Sequence, residues 1–226
     1  MTVTETPVRK RVQAEFYFDL ICPWCMIGKR QLEQAIDLLV AAYPDTVVDV
    51  QWKSLPLMPD MPPEGKPFQA FYRQRLGSAQ AVESRRSQIR EVGDTYGIQF
   101  QFDRIEWMPN TIAAHRLVWQ AGEMGGPALQ SHVIDELFHA YFLRGVHIGE
   151  PRALADIAEI YGMSPAASIC SSVLPSYDAT LEYWRGEAKR KRLSGVPAFV
   201  FGDRYSQAGA MDPETLARAM LGSVSA

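Results

Sequence analysis

Cysteine is scarce in this chain: three in 226 residues. That is too few for a disulfide framework of the kind that staples small secreted domains. No apolar run is long enough to cross a bilayer, since a spanning helix needs about eighteen consecutive apolar residues or more. Net charge is also slight. Lys and Arg number 23 against 26 Asp and Glu, giving −3 at neutral pH, so nothing draws the chain as a whole to nucleic acid or anionic lipid. Before the first strand-like run the N-terminus carries charges but no apolar stretch of a secretory signal. No internal repeat or low-complexity tract is present. These absences lead to the expectation of a protein of a reducing cytoplasm, with neither nucleic-acid nor membrane partners. The size and the 47% hydrophobic content suffice for one large domain, or one domain carrying an insert.

Against this background two of the three cysteines stand out, in Cys22-Pro23-Trp24-Cys25. The segment before them alternates like a strand, with Ala14, Phe16 and Phe18 on one face and Glu15 and Tyr17 on the other. The segment after them, Met26 to about Ala42, is helix-like. Two thiols three residues apart at a strand-to-helix junction are the pattern of a dithiol redox centre. Positions i and i+3 are neighbours on a helix, so the sulfurs can close or open a disulfide with little backbone motion. Cys22 is placed at the helix N-terminus, where unpaired N–H groups and the helix dipole favour a thiolate. Pro23 suits the first helical position because its missing N–H has no partner there. Cys22 is therefore assigned as the attacking thiolate and Cys25, one turn inside, as the resolving thiol. Zinc would need a second Cys or His pair. Only Cys170 remains, and His115, His132, His139 and His147 form no such pair with it, so no metal is expected. A purely structural disulfide of this span would tie down almost no chain.

The flanking pattern gives an architecture. Residues 1–11 read as a flexible lead, 12–18 as a strand, and 26–42 as a helix whose buried face carries Cys25, Gly28, Leu32, Ile36 and Leu39. Gly28 on that stripe allows close packing, and Lys29, Arg30 and Glu33 read as the solvated side. Val48, Val50 and Trp52 alternate with polar residues as a second strand. A Pro-rich loop covers 55–67, and helices are expected almost throughout 68–192: 68–76, 79–96, 110–124 with Asn110 as N-cap, 127–143, one opening at Glu150-Pro151, 165–173 and 176–193. The segment 99–102 is ambiguous. Ala198-Phe199-Val200-Phe201, a Gly202-Asp203 turn and 204–207 read as a hairpin, and Asp212-Pro213 opens a closing helix. Strand-helix-strand with the active residues at the end of the first strand is an α/β arrangement.

The sequence resembles the DsbA family of thioredoxin-fold thiol oxidoreductases, in its mostly bacterial FrnE-like branch. The matching anchors are residues 16–30 around the dithiol, Asn110-Thr111-Ile112-Ala113-Ala114-His115-Arg116-Leu117, Leu137-Phe138-His139-Ala140-Tyr141-Phe142, and Gly195-Val196-Pro197-Ala198-Phe199-Val200-Phe201 with Gly209-Ala210. The resemblance implies a thioredoxin fold with a long all-α insertion between the N-terminal strand-helix-strand and the C-terminal hairpin-helix. The expected division is 12–58 with 187–226 for the thioredoxin-like part and 65–186 for the insertion. It implies a cis proline at Pro197 facing the dithiol, with the backbone beside Val196 free to pair with an extended substrate. Pro23, Trp24, Val196, Pro197, Asn110 and His115 are the expected substrate-side residues. For Asn110 and Arg116 the plainer reading is a helix cap and a surface residue, and for His115 either a packing role or a proton shuttle. The implied activity is thiol-disulfide exchange by a DsbA-like disulfide oxidoreductase or isomerase, with a thiol or disulfide substrate, a cellular thiol reductant and no bound cofactor. Strongly oxidising DsbA proteins carry His just before the second cysteine. Trp24 stands there, which implies a potential below about −120 mV.

Kappa-type glutathione transferases and 2-hydroxychromene-2-carboxylate isomerases are related in fold, and a glutathione-dependent isomerase or transferase is the alternative function. Those enzymes typically carry Ser where this chain has Cys22. Glutathione remains a possible co-substrate under either reading. Trp107, Trp119 and Trp184 read as core or cleft wall, Met58 and Met61 as loop residues able to offer soft apolar contact, the run 189–192 as a solvated helix end, and Cys170 as a small buried hydrophobe.

Overall fold

A computed structural model describes residues 10–164, 175–202 and 204–224. The expected helix at 165–173, Cys170 and Asp203 of the expected turn lie outside the described residues. β1 (Lys10–Phe18) starts two residues before the expected strand. It leads into α1 (Pro23–Ala42), and β2 (Thr46–Ser54) then lies parallel to β1, with Phe16 opposite Trp52. Near the other end of the chain β5 (Ala198–Phe201) pairs antiparallel with β1, and β6 (Tyr205–Ala208) pairs with β5. The four-stranded order β2-β1-β5-β6 joins the two ends of the sequence in one sheet. This is the α/β sheet with a large helical part between β2 and β5 that the resemblance implies. The chain between β2 and β5 supplies β3 (Lys66–Pro67), α2 (Phe68–Leu76), α3 (Ala79–Thr95), β4 (Trp107–Met108), α4 (Ile112–Arg144), α5 (Pro151–Ile160) and α6 (Pro175–Arg190). α7 (Pro213–Val224) closes the fold, and Asp212 Oδ1 accepts the Thr215 N–H at 2.8 Å as its cap. The two-residue pair β3–β4 has no alternation to betray it in sequence. The ambiguous 99–102 segment is irregular before a single 3₁₀ turn at Phe102–Arg104.

Both faces of the sheet are covered, by different chemistry. Val12, Ala14, Phe16 and Phe18 join residues of α1, α4 and α7 in the main apolar core. On the other face Tyr17, Ala198 and Val200 pack with Ala188 of α6. That face also buries Lys53, whose ammonium meets Glu15 at 3.1 Å and Glu187 at 2.7 Å. Lys191 reaches the same two carboxylates. The run 189–192 is thus not wholly a solvated end: Lys191 belongs to this network, while Lys189, Arg190 and Arg192 are exposed. Burial would raise the Glu15 carboxyl, yet hydrogen bonds and charge from Lys191 and Lys53 hold it below the ordinary carboxylate range.

α4 bears on three expectations. It is two helical arms bent at Gly126 (φ 68°) and Pro127, which accords with the two helices expected there. Its first arm begins at Ile112, and Asn110 caps it as expected: Asn110 Oδ1 accepts the Ile112 N–H at 2.9 Å, whereas Thr111 between them makes no side-chain cap bond. Its second arm covers the side of α1 expected to face solvent. There Lys29 is 1% exposed and pairs with Glu33 and with Asp135, at 2.7 Å from the latter. The periodicity of α1 located its apolar stripe, and only the tertiary arrangement shows a second wall against the same helix. Trp107 also departs from expectation, being 40% exposed beside His147. Trp119 and Trp184 are half-buried and line a groove along β2. Met61 is buried in the core.

Candidate active site

The dithiol sits where β1 hands over to α1. Cys22 is the N-cap residue of α1, in extended conformation, and Pro23 takes the first helical position. The Cys25 and Met26 N–H groups point back to the Cys22 carbonyl at 2.9 and 3.4 Å. This first turn sets the two cysteines on one side, unbonded to each other. Cys22 is 7% exposed and Cys25 fully buried. The Cys22 Sγ–H donates to the Val196 carbonyl at 3.7 Å. The Val196–Pro197 peptide is cis.

Gly28 explains how the Pro197 loop comes so close. A Cβ there would lie 3.0 Å from Pro197 Cβ and Cγ and 3.3 Å from Phe199 Cζ. The absent side chain lets α1 lie against the loop that carries Val196 over the sulfurs. Trp24 is half-buried and packs against the core.

The two thiols differ in setting. Burial first, then the hydrogen bond and charge of Cys22, hold the Cys25 thiol well above the usual range; the main-chain hydrogen bond at Asp19 pulls the other way without offsetting them. Cys25 therefore keeps its proton while Cys22 faces the open side. That open side is a cleft of about 200 Å³ lined by Ile21, Cys22, Leu57, Met58, Tyr72 and Met108, with Phe71 and Arg75 at α2. Burial pushes the Tyr72 phenol up to about 12, with Cys22 adding to the shift and Arg75 opposing it.

Beneath the dithiol lies Asp19, fully buried and not singled out from sequence. Its Oδ1 accepts from Thr111 Oγ1 at 3.0 Å and meets His115 Nε2 at 3.1 Å, and its Oδ2 accepts the Leu57 N–H at 2.7 Å. One carboxylate thus ties the end of β1 to the loop after β2 and to the first turn of α4. His115 is fully buried in this cluster, its ring tilted against that of Phe18, and does not line the cleft. Asn110 also lies away from the cleft lining: its Nδ2 donates to the Met61 carbonyl at 2.6 Å and its Oδ1 accepts the Ile112 N–H. Of the expected residues, the structure gathers Cys22, Cys25, Pro23, Val196 and Pro197 around the sulfurs, and sets His115 on the first turn of α4 and Asn110 in the loop before it. The only sequence signal for Asp19 is its place as the sole charge in an apolar run, Phe16 to Ile21. Among the described residues no group of three His, Cys, Asp or Glu side chains is arranged to hold a metal.

Residues 13–221 match the family model of the DSBA-like thioredoxin domain. The chain belongs to this family. A curated relative, the uncharacterized protein YwbO of Bacillus subtilis, is 23% identical over 85% of this chain and 88% of its own. Among solved structures, a probable DsbA oxidoreductase from Streptomyces coelicolor superposes with a TM-score of 0.80 at 23% identity, covering 94% of this chain and 89% of its own. The cytosolic disulfide reductase DsbM from Pseudomonas aeruginosa, solved with GSH, superposes with a TM-score of 0.65 at 18% identity over 93% and 98%. At these identities the likeness is one of fold. No helix among the described residues is long and apolar enough to cross a membrane.

Proposed function

We propose that this DsbA-like protein is a cytoplasmic thiol-disulfide oxidoreductase working through Cys22 and Cys25. The observation that carries the reading is the asymmetry of the pair: Cys22 caps α1 at the edge of a cleft and under the Val196 carbonyl, while Cys25 is sealed beneath it with its proton held. In the reducing direction the Cys22 thiolate attacks one sulfur of a disulfide R–S–S–R′. A Cys22–S–S–R bond forms and R′–S⁻ leaves, taking up a proton. Cys25 then gives up its proton and attacks the Cys22 sulfur, the internal disulfide forms, and R–S⁻ leaves. Two electrons have passed from the protein to the substrate. Two molecules of a cellular thiol restore the dithiol and become a disulfide. Glutathione is the reductant we favour, in line with the neighbour solved with GSH. Run backwards, the same steps oxidise a dithiol or shuffle disulfides. Val196 offers its main chain to an extended substrate, and Pro197 keeps an N–H away from the sulfurs.

The test is a redox titration in graded glutathione buffers, with thiols trapped by alkylation and located by mass spectrometry. The expected result is a reversible Cys22–Cys25 couple between about −280 and −150 mV. Failure to form that disulfide in any buffer, with stable glutathione adduction at Cys22 alone, overturns it in favour of a glutathione-dependent isomerase or transferase.

A further inference from the structure

The cleft beside Cys22 has one charged side chain among its described lining residues, and that charge is unspent. Leu57, Met58, Phe71 and Met108 make an apolar wall, while no carboxylate lines the space. Arg75 projects from the last turn of α2, is exposed, and has no ion-pair or hydrogen-bond partner among the described residues. Most other arginines near this part of the fold are committed elsewhere: Arg86 to Gln69 and Asp103, Arg90 to Glu83 and Asp103. Tyr72 lies one turn before Arg75 on the same helix face. Its phenol responds to the charge on Cys22 and to that on Arg75, so all three groups share one electrostatic neighbourhood.

We propose that Arg75 is a specificity residue that selects a low-molecular-weight disulfide carrying a carboxylate, held so that its sulfur meets Cys22. The inference rests on the reading of the dithiol as an exchange centre. A guanidinium pairs with a carboxylate through two parallel hydrogen bonds, and the apolar wall accepts the carbon chain between carboxylate and sulfur. At about 200 Å³ the cleft falls below the roughly 300–1,000 Å³ that encloses a drug-sized ligand. It fits one short arm of a small disulfide. The reaction is the exchange written above: the reduced dithiol becomes the internal disulfide and the substrate becomes two thiols, each taking one proton.

The experiment compares reduced protein acting on 3,3′-dithiodipropionate, which is anionic, with bis(2-hydroxyethyl) disulfide, which is neutral, and with cystamine, which is cationic. Thiol release is followed while excess reduced glutathione restores the dithiol, and each kcat/KM, taken above the glutathione background, is divided by the rate of a free small dithiol on the same compound to remove intrinsic reactivity. The expected order is anionic over neutral over cationic. In Arg75→Gln the anionic-to-neutral ratio falls by about tenfold, chiefly through KM, and Arg75→Lys recovers part of it. The preference also weakens as salt is raised. An anionic-to-neutral ratio unchanged in Arg75→Gln, with exchange still measurable, overturns the inference and leaves the dithiol reading standing. No exchange with any of the three compounds in the unaltered protein overturns the dithiol reading and the inference with it.

Discussion

The two sides of the dithiol are built on opposite rules. Below it, Asp19, Thr111 and His115 are sealed from water and bonded through Asp19 to one another and to main chain, with His115 Nδ1 alone among their side-chain polar atoms left buried without a partner. Above it, the cleft walls are apolar or unpartnered and stand open beside Cys22. The paired members of a buried polar cluster brace it, because breaking one such hydrogen bond there costs more than the bond itself contributes. An open cleft can leave groups unspent, because water satisfies them until a substrate arrives. The underside therefore fixes where the sulfurs stand, and the upper side decides what they meet. Changes to the first are expected to show in stability and changes to the second in rate.

The largest effect expected is on the upper side. Cys22→Ala removes the attacking sulfur, and disulfide exchange should fall by about three orders of magnitude or more with thermal stability little altered. Cys25→Ala is the informative companion: capture survives, resolution does not, and the mixed disulfide accumulates on Cys22 as a mass increase of one substrate thiol less two hydrogens. A Cys25→Ala protein that releases substrate as fast as the parent would reverse the assigned roles. The next effect belongs below. Asp19→Ala leaves the Leu57 N–H, the Thr111 hydroxyl and His115 Nε2 without their acceptor in a fully buried place. Destabilisation of about 3 kcal/mol is expected, a drop of about 6–12 °C in Tm for a chain of this size, read by thermal or urea unfolding. A stability loss under about 0.5 kcal/mol would mean that the cluster does not brace the site.

How much of this was readable from sequence follows the range of the signals. The dithiol, α1, β2, β5 and α7 carry local marks: a spacing of three, a 3.6-residue stripe, strict alternation, a Pro after a capping residue. Val196 and Pro197 gained meaning only from a family resemblance, because no local rule brings residue 197 to residue 22. The cleft wall was illegible for the same reason. Phe71, Tyr72 and Arg75 sit on a helix whose sequence shows no division between a core-facing and a site-facing side, and they reach Cys22 only through folding of the helical part. Lys29 was misread because helical periodicity reports one apolar face and is silent about a charge that meets its partners on a different helix. Asn110 was legible as a helix cap, because a capping side chain is a local signal, but nothing local shows that it stands away from the cleft.

Gly28 lies at the seam between the two sides, and its substitution should be felt by both. Gly28→Ala puts a methyl 3.0 Å from Pro197, tighter than most side-chain contacts, so the Pro197 loop or α1 must give by a few tenths of an ångström. Overpacking of this kind costs about 1–3 kcal/mol. Because the displaced loop carries the Val196 carbonyl that Cys22 meets, exchange should slow by about tenfold, beyond what the stability loss alone explains at a temperature where the variant is folded. Full activity in Gly28→Ala would show that the loop position does not matter to the sulfurs.

The smallest effect is a pH dependence that distinguishes the sulfurs. Cys25 is raised well above the usual thiol range by burial and by Cys22, so the folded dithiol holds a proton that the unfolded chain gives up near the ordinary value of about 8.5. Stability from this group is fully present below that pH and is lost as pH rises toward the folded value, at up to about 1.4 kcal/mol per pH unit. Measurement belongs between about pH 8 and 9.5, below the range where the unfolded-state tyrosines, near pH 10, begin to contribute in the same sense. Urea midpoints of the reduced protein should decline over that interval, and the decline should be shallower in Cys25→Ala. Equal slopes in the two proteins would mean that Cys25 is no more sealed than Cys22, and the contrast between the two sides of the site would lose its chemical consequence.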